Sequence, residues 1–266
     1  MLVCTLGDLL LDVVVRLDSP LVPGDDTTAA TRTGAGGQAA NVAAWAAALG
    51  ATARLIAKRG GDAAGEVCAA ELAARGVEVV GPVGGRTGVV VSLVGADGDR
   101  TMCSDRGVAS ELRADELDPS WLTACDVLHV SGYALLAEPA ASAAAHAARL
   151  AREAGARVSV DLSSAAAIRA GGPERVAARL ERIGPDLVFA TEAEVEALGG
   201  RLDTAWVVKL GAQGLRVDRR VFAAAPASVA DTTGAGDALA AGFLVGGPEL
   251  GLQAAARCVS KLGSMP

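Results

Sequence analysis

Residues 231–244, DTTGAGDALAAGFL, place a carboxylate inside a glycine turn at the start of an apolar helix. The first amide groups of a helix have no intrahelical partner, and the helix dipole adds partial positive charge there. The turn of Gly234, Ala235 and Gly236 therefore suits an anion such as a transferring phosphoryl group. Asp237 would repel a phosphate. It suits a base that accepts an alcohol proton while the amides stabilise the developing charge.

An isolated GxGD pattern has a second interpretation, in which the acid only stabilises the helix and the glycines only close a tight turn. The rest of the chain distinguishes between these two interpretations of the pattern. Its 266 residues, 51% of them apolar, are enough for one large α/β domain with a substantial core. No apolar stretch reaches the roughly 18 residues that span a bilayer. Residues 1–15 contain Asp8 and Asp12 and no basic start, which is typical of a core strand rather than a signal peptide.

Charge and metal-binding residue types exclude several function classes. The net charge is −7 and the 24 Lys and Arg are scattered, whereas nucleic-acid binding needs a basic face. The five cysteines are far apart and form no CxxC, which is typical of free thiols in a reducing cytoplasm. His129 and His146 lack metal-ligand spacing, so neither a zinc site nor a histidine-based triad is expected. We therefore expect a cytoplasmic protein with no nucleic-acid or membrane partner.

The elements that must position these residues alternate between apolar strands and alanine-rich helices. Predicted strands cover residues 2–6, 52–58, 126–132, 156–162, 186–190 and 205–211. Predicted helices cover residues 38–50, 63–76, 139–155 and 192–200. This order indicates βαβ units, a mainly parallel sheet and helices on both of its faces. Such sheets bind ligands beyond the carboxyl ends of their strands, which is where the motifs fall.

Two segments, at about residues 11–33 and 87–105, break this rhythm. The first alternates like β structure around a Pro/Gly turn, and the second is typical of a hairpin with its turn at Asp97 and Gly98. Neither has a helix to cover a sheet face. We expect them to form a small second sheet that serves as a lid over a ligand, a dimer surface or both. The alternative is a surface embellishment.

Together, the motifs closely resemble those of the ribokinase/PfkB family of carbohydrate kinases. DTTGAGDALAAGFL is similar to the C-terminal signature of that family, and GAGGQAANVAAWAAALGA at residues 34–51 is similar to its N-terminal signature. Shorter matches lie between them: GDLLLD, GGDAAG, DRGVA, TEAEVEAL and KLGAQG. The resemblance implies a ribokinase-like three-layer αβα fold with a mainly parallel central sheet and a small β-sheet lid. It further implies one domain over residues 1–266, with ATP and Mg²⁺ as co-substrate and cofactor.

The resemblance assigns roles around the C-terminal signature. Asp237 corresponds to the catalytic base, and Gly234, Ala235 and Gly236 correspond to the anion hole. Asp231 and Thr233 match positions that hold a monovalent cation such as K⁺ in many members. A turn-capping role for Asp231 is the alternative.

Four residues near the N-terminus match the sugar-binding positions of the family. Asp12 corresponds to an acidic residue that binds sugar hydroxyls, and charge-assisted hydrogen bonds are strong. Gly36 and Gly37 permit close approach of the backbone to the sugar. Asn41 offers both a donor and an acceptor. Gln38 stands where ribokinases usually carry lysine, so the sugar need not be ribose.

Five residues match the nucleotide-binding positions. Glu194 corresponds to a glutamate that acts through water and Mg²⁺ on the nucleotide phosphates, and Thr191 replaces the usual asparagine before it. Lys209, Gly211 and Gly214 lie in the segment that follows the ATP phosphates and ribose. Lys209 either contacts a phosphate or only ends a strand.

Two further residues have open interpretations, and the chain ends sooner than expected. Asp161 ends a strand near the site, where it faces the phosphates or caps a loop, and Arg106 meets an acidic substrate group or lies on the surface. The chain ends at CVSKLGSMP, whereas family members usually continue through helices that flank the adenine. We therefore expect either a more open adenine pocket or a sequence that is a piece of a longer chain.

These matches predict an ATP-dependent kinase that phosphorylates a primary hydroxyl of a sugar or sugar acid, acting as a monomer or as a homodimer through the lid. One alternative is a nucleoside kinase of the same fold, and another is a non-catalytic sugar sensor on a kinase scaffold. A vitamin kinase fits less well because those relatives lack the N-terminal signature. The chain has neither GxGxxG after its first strand nor GxxxxGK[ST], which disfavours a Rossmann oxidoreductase and a P-loop kinase.

Overall fold

The structure is a computed structural model that describes residues 1–95 and 100–266. The described residues form thirteen strands and eight α-helices. The strands are β1 (Leu2–Leu6), β2 (Leu10–Leu17), β3 (Ala29–Gly36), β4 (Thr52–Ile56), β5 (Val77–Val80), β6 (Thr87–Val94), β7 (Arg100–Gly107), β8 (Val127–Ser131), β9 (Arg157–Asp161), β10 (Leu187–Thr191), β11 (Ala205–Lys209), β12 (Leu215–Val217) and β13 (Arg220–Phe222). The helices are α1 (Gln38–Ala48), α2 (Ala63–Ala74), α3 (Ala140–Glu153), α4 (Ala165–Gly171), α5 (Pro173–Ile183), α6 (Glu192–Leu198), α7 (Ala235–Gly246) and α8 (Pro248–Val259).

The main sheet has nine strands in the order β13-β12-β11-β10-β9-β8-β1-β4-β5. From β11 to β5 every neighbouring pair is parallel, and only β12 and β13 join antiparallel at one edge. The carboxyl ends of the seven parallel strands therefore lie side by side along one end of the sheet. Ligands bind next to these strand ends in folds of this type.

Helices cover both faces of this sheet and enclose two separate hydrophobic cores. Buried side chains of α3, α4, α5 and α6 pack on one face, and those of α1, α2, α7 and α8 pack on the other. Many of the contacts are made by alanine, which lets the backbones approach closely. Small residues also join α7 to α8, since a Cβ on Gly242 would lie only 2.6 Å from the carbonyl oxygen of Leu250. The three-layer αβα fold predicted from the sequence is confirmed.

Four strands form a second, smaller sheet in the order β3-β2-β6-β7. Strands β2 and β6 are parallel, and the two outer pairs are antiparallel. Asp12 lies in the middle of β2, opposite Gly34 and Val90. This is the small sheet expected of the fold, and we call it the lid sheet. The turn predicted at Asp97 and Gly98 lies outside the described residues.

The structure adds elements that the strand and helix patterns did not predict. The apolar N-terminal run is divided between β1 in the main sheet and β2 in the lid sheet, with the break at residues 7–9. Helices α4 and α5, strand β5 and the β12–β13 hairpin are further additions. No helix within residues 1–95 and 100–266 is long and apolar enough to cross a lipid bilayer.

Candidate active site

The glycine turn at the start of α7 has the geometry of an anion-binding site. Gly234 caps the helix in the left-handed region, with φ 75°, and a Cβ there would lie 2.6 Å from Cβ of Ser264. Only glycine can adopt this positive φ easily and also avoid the contact with Ser264. The first intrahelical bond joins the Ala238 amide to the Gly234 carbonyl. The amides of Gly236 and Asp237 precede that bond, so they remain free to bind an anion at the helix end.

Asp237 lies in this first turn and is held by α1 from the facing side. Its Oδ2 accepts a hydrogen bond of 2.7 Å from Nδ2 of Asn41. The amide of Asn41 is itself oriented by Oγ of Ser264, which donates to Oδ1 at 3.0 Å. Burial raises the pKa of Asp237 to about 7, with Asp161 adding to the shift and the Asn41 bond opposing it. A carboxylate with such a pKa is suited to accept a proton near neutral pH.

Asp12 reaches the same region from the lid sheet, and the glycines before α1 make room for it. A Cβ on Gly36 would lie 2.1 Å from Cγ of Asp12. Gly37 caps α1 at φ 103°, and a Cβ there would lie 2.4 Å from the carbonyl oxygen of Asp8. Burial raises the pKa of Asp12 to about 6, whereas the positive charge of Arg100 lowers it. Asp12 also raises the pKa of Asp237, so the two carboxylates share one electrostatic environment.

Lys209 places a positive charge beside the glycine turn. Its Nζ lies 2.9 Å from both carboxylate oxygens of Asp161 and 3.8 Å from Glu194. A Cβ on Gly236 would come within 3.5 Å of the same nitrogen. Burial alone would lower the pKa of Lys209, but Asp161 and Glu194 outweigh it and the pKa is raised. Lys209 therefore stays charged next to the free amides.

Thr191 and Glu194 form a reciprocal capping box at the start of α6. The Glu194 carboxylate accepts from the Thr191 amide at 2.7 Å, and the Thr191 hydroxyl accepts from the Glu194 amide at 3.2 Å. Glu194 is only 6% exposed, and its second carboxylate oxygen is left for another partner. Within the described residues no group of three or more His, Cys, Asp or Glu could hold a metal. Mg²⁺ carried by nucleotide phosphates needs only one or two carboxylates and water, so this arrangement fits it.

Asp231 and Thr233 form a compact turn before α7. Oδ1 of Asp231 accepts from the amide and the hydroxyl of Thr233 at 2.9 and 2.5 Å, and Oδ2 accepts from the Gly263 amide at 2.9 Å. Arg100 of the lid sheet lies 3.6 Å from Oδ1 and contacts the Thr233 hydroxyl. Two unit positive charges about 4 Å apart repel by about 4 kcal/mol at an effective dielectric of 20. A free cation on Asp231 would therefore compete with Arg100.

Gln38 begins α1 and is fixed by two hydroxyl groups from the main sheet. Its Oε1 accepts from Oγ of Ser131 at 2.6 Å and from Oγ of Ser163 at 2.5 Å. Ser131 ends β8, and Ser163 follows the end of β9. The carboxamide is therefore oriented with its NH₂ group as the remaining hydrogen-bond donor.

Arg106 does not lie free on the surface, as one interpretation of the sequence predicted, but contacts two other residues of the chain. Its guanidinium forms an ion pair with the buried Asp8 and stacks 3.7 Å from the ring centroid of Tyr133. These partners join the lid sheet to the loop after β1 and to the loop after β8.

A cavity of about 140 Å³ opens between the lid sheet, α2 and the C-terminal residues. Asp12 lines it together with four cationic side chains, those of Arg32, Arg75, Arg100 and Lys261. The carboxylates of Glu71 and Asp231 also line it, and Arg75 lies 3.0 Å from Glu71.

The structure brings most of the predicted site residues together around Asp237, but Gly211 and Gly214 lie apart from this group. The N-termini of α1, α6 and α7 and the ends of β9 and β11 meet around Asp237 and Lys209. Gly211 and Gly214 lie in the turn after β11, towards the antiparallel edge of the sheet, and the space beside Gly211 is open. Arg100 and Ser264 were missed, because nothing in their sequence neighbourhood indicates what they contact.

Comparison with known proteins gives a consistent result. The family model of the pfkB family carbohydrate kinases matches residues 1–265. Fructokinase-1 of Zea mays is 33% identical over 273 residues, covering 91% of this chain and 82% of its own length. An ATP-dependent ribose-1-phosphate kinase of Halopiger xanaduensis is 32% identical over 259 residues, covering 91% and 83%. The crystal structure of adenosine kinase from Sinorhizobium meliloti superposes with a TM-score of 0.85 at 26% identity, covering 99% and 95%. The chain belongs to the pfkB family of carbohydrate kinases.

Proposed function

We propose that this ATP-dependent carbohydrate kinase transfers the γ-phosphoryl group to a primary hydroxyl of a sugar or sugar acid bound between the lid sheet and the main sheet. The observation that carries the proposal is the half-buried Asp237 carboxylate, held by Asn41 in the first turn of α7 beside free helix amides. A proton acceptor and an anion site are thus combined in one helical turn.

In this mechanism Asp237 accepts the proton of the acceptor hydroxyl as its oxygen approaches the γ-phosphorus. The amides of Gly236 and Asp237, which the glycine turn leaves free, and the ammonium group of Lys209 face the negative charge that spreads over the transferring phosphoryl oxygens. Most of the catalysis is positioning and charge stabilisation, because the transition state of phosphoryl transfer is loose. Asp12 accepts hydrogen bonds from sugar hydroxyls and sets the orientation of the acceptor.

Glu194 is the residue proposed to reach Mg²⁺, through water, when the nucleotide is bound. The ion supplies neutralisation of the β- and γ-phosphate charges. Thr191 contributes by fixing Glu194 through the capping box. Gly211 and Gly214 are proposed to leave room for the nucleotide ribose at the edge of the sheet.

The charges in the cavity favour an acceptor that carries an anionic group. Arg75 is paired with Glu71, and Arg100 lies next to Asp231. In the described part of the chain neither Arg32 nor Lys261 forms an ion pair, although both line the cavity. The two named relatives differ in the charge of the sugar in their names, since one is a fructokinase and the other a ribose-1-phosphate kinase. We therefore rank sugar acids and phosphorylated sugars above neutral sugars.

ADP release with ATP and Mg²⁺ across fructose, ribose, ribose 1-phosphate, sugar acids and adenosine tests the proposal. The panel is run on the wild type, on Asp237→Asn and on Asp203→Asn, an exposed aspartate outside the site. We expect one acceptor class to be turned over by the wild type and Asp203→Asn, and a loss of roughly 10³-fold or more in Asp237→Asn. Full activity of Asp237→Asn would overturn the assignment of the base. Binding of a sugar without turnover would identify a sugar sensor, and turnover of adenosine alone a nucleoside kinase.

The lid sheet is proposed to close over the bound acceptor and exclude water that would otherwise accept the phosphoryl group. ATP hydrolysis should therefore be slow without an acceptor. Fast acceptor-independent release of ADP would rule out this closure.

A further inference from the structure

We infer that Arg100 of the lid sheet takes the place of a monovalent cation at Asp231, so that the enzyme carries this positive charge in its own chain. The inference rests on the proposed role of the turn before α7 as the anion site. The inference concerns which positive charge stabilises that turn. The family resemblance implied a bound monovalent cation at Asp231 and Thr233, whereas here the charge comes from an arginine side chain.

The first observation is that protein donors already occupy the Asp231 carboxylate. One oxygen accepts from the amide and hydroxyl of Thr233, and the other accepts from the amide of Gly263. An aspartate carboxylate is charged at neutral pH, so Asp231 needs a positive partner as well as these neutral donors.

The second observation is that Arg100 supplies that partner in two contacts. Its Nη1 lies 3.6 Å from Oδ1 of Asp231 and also contacts the hydroxyl of Thr233. The side chains of Arg100 and Asp231 are both largely shielded from solvent, with 29% and 21% of their surface exposed. A cation at the same oxygens would meet both the guanidinium charge and an occupied hydroxyl.

The third observation is that Arg100 lines the same cavity as Asp12, where its positive charge lowers the pKa of that carboxylate. One lid residue thus links the carboxylate assigned to the acceptor with the turn that leads through Thr233 into Gly234. Because Arg100 belongs to the chain, its charge stays beside Asp231 without exchanging with the solvent, which a free ion cannot do. Arg100 is in this sense a positioning residue for the turn.

The test measures kcat and KM with the best acceptor at KCl from zero to about 100 mM, with tetramethylammonium chloride holding the ionic strength constant. The variants are Arg100→Ala, Arg100→Lys and the control Arg86→Ala, which removes an exposed arginine next to the lid sheet that pairs with exposed Asp105. We expect the wild type and Arg86→Ala to change less than about twofold with K⁺. Arg100→Ala should lose roughly tenfold in kcat without K⁺ and regain most of it with K⁺, and Arg100→Lys should remain independent of K⁺.

A second readout does not depend on turnover. Thermal unfolding with KCl against tetramethylammonium chloride should show K⁺ stabilising Arg100→Ala and not the wild type, and Arg100→Ala/Asp231→Asn should lose that stabilisation. Equal dependence of the wild type and Arg100→Ala on K⁺, or no K⁺ effect on Arg100→Ala in either readout, would overturn the inference. If the unfolding result holds while no acceptor is phosphorylated, the proposed kinase substrate fails and the cation inference stands.

Discussion

At the scale of single residues, the central question is how the half-buried carboxylate of Asp237 can serve as a base near neutral pH. Asp237 is stabilised in its charged form by Asn41, Lys209 and the helix N-terminus. Burial and the charges of Asp161 and Asp12 act in the opposite direction and prevail, so its pKa rises to about 7. The carboxylate is therefore a stronger base than an exposed aspartate and is still ionised in about half of the molecules at pH 7.

This pKa predicts an acid limb in the activity profile. The reaction needs ionised Asp237, so kcat/KM should fall about tenfold per pH unit below about pH 7 and level off above it. Initial rates from about pH 5 to about pH 9 with a saturating ATP concentration give the profile. An acid limb near pH 4 would show that a different group, or an unshifted carboxylate, limits the rate.

The same shift predicts that the base costs stability. The pKa of Asp237 is about 7 in the folded state, against 3.8 for an unperturbed aspartate, so its contribution to stability is complete below pH 3.8 and is lost as pH rises through 7. Asp237→Asn should therefore raise the free energy of unfolding at about pH 8 by on the order of 2 kcal/mol. Urea unfolding at about pH 8 and about pH 5 checks this, and the gain should shrink at the lower pH. A destabilised Asp237→Asn at the higher pH, with Asp203→Asn unchanged, would contradict it.

At the scale of elements, the site depends on how closely α7 approaches its neighbours. The left-handed cap at Gly234 directs the amides of the first turn, and the C-terminal residues pack against it through Ser264. Trp45 of α1 ties this segment down by donating from Nε1 to the carbonyl oxygen of Ser264 at 2.8 Å. The anion turn, Asn41 and the end of the chain therefore form one packed unit.

A matched pair of glycine variants separates backbone strain from steric contact. Gly234 and Gly199 both cap helices in the left-handed region, at φ 75° and 87°, but a Cβ on Gly199 meets nothing within 4 Å. Gly199→Ala should cost about 1–2 kcal/mol from its backbone alone. Gly234→Ala should cost at least about 1 kcal/mol more and also lower kcat, because the turn has to move away from Ser264. Equal losses of stability, measured by denaturant unfolding, would show that the contact with Ser264 relaxes freely.

At the scale of the whole molecule, the lid sheet has two chemically different faces. Side chains alternate along a strand, so Asp12, Val14 and Ser92 line the cavity while Val13, Val15, Val91 and Leu93 lie on the opposite face. These four apolar residues, which we call the outer lid face, are only half-buried in the single chain. We predict that this face pairs with a second copy of the protein.

Light scattering over a range of concentrations tests that prediction. Val91→Glu should shift the mass towards the monomer, because a charge in the centre of an apolar interface is not compensated. Val221→Glu serves as the control, since Val221 is 58% exposed on β13, at the edge of the main sheet. A wild type that is monomeric at every concentration would remove the predicted dimer.

The family, the fold class and the two glycine turns can all be recognised from the amino-acid sequence alone. Gly234 and Gly37 need conformations that side chains resist, and the alternation of strands and helices is a local pattern, so both can be recognised along the chain. Which side chains contact one another follows from the three-dimensional packing of the chain. Ser264 reaches Asn41 across 223 residues and Arg100 contacts Thr233 across 133, and no local pattern encodes such contacts. They depend on how the lid sheet, α1 and the C-terminal residues pack around α7, which is a property of the whole fold.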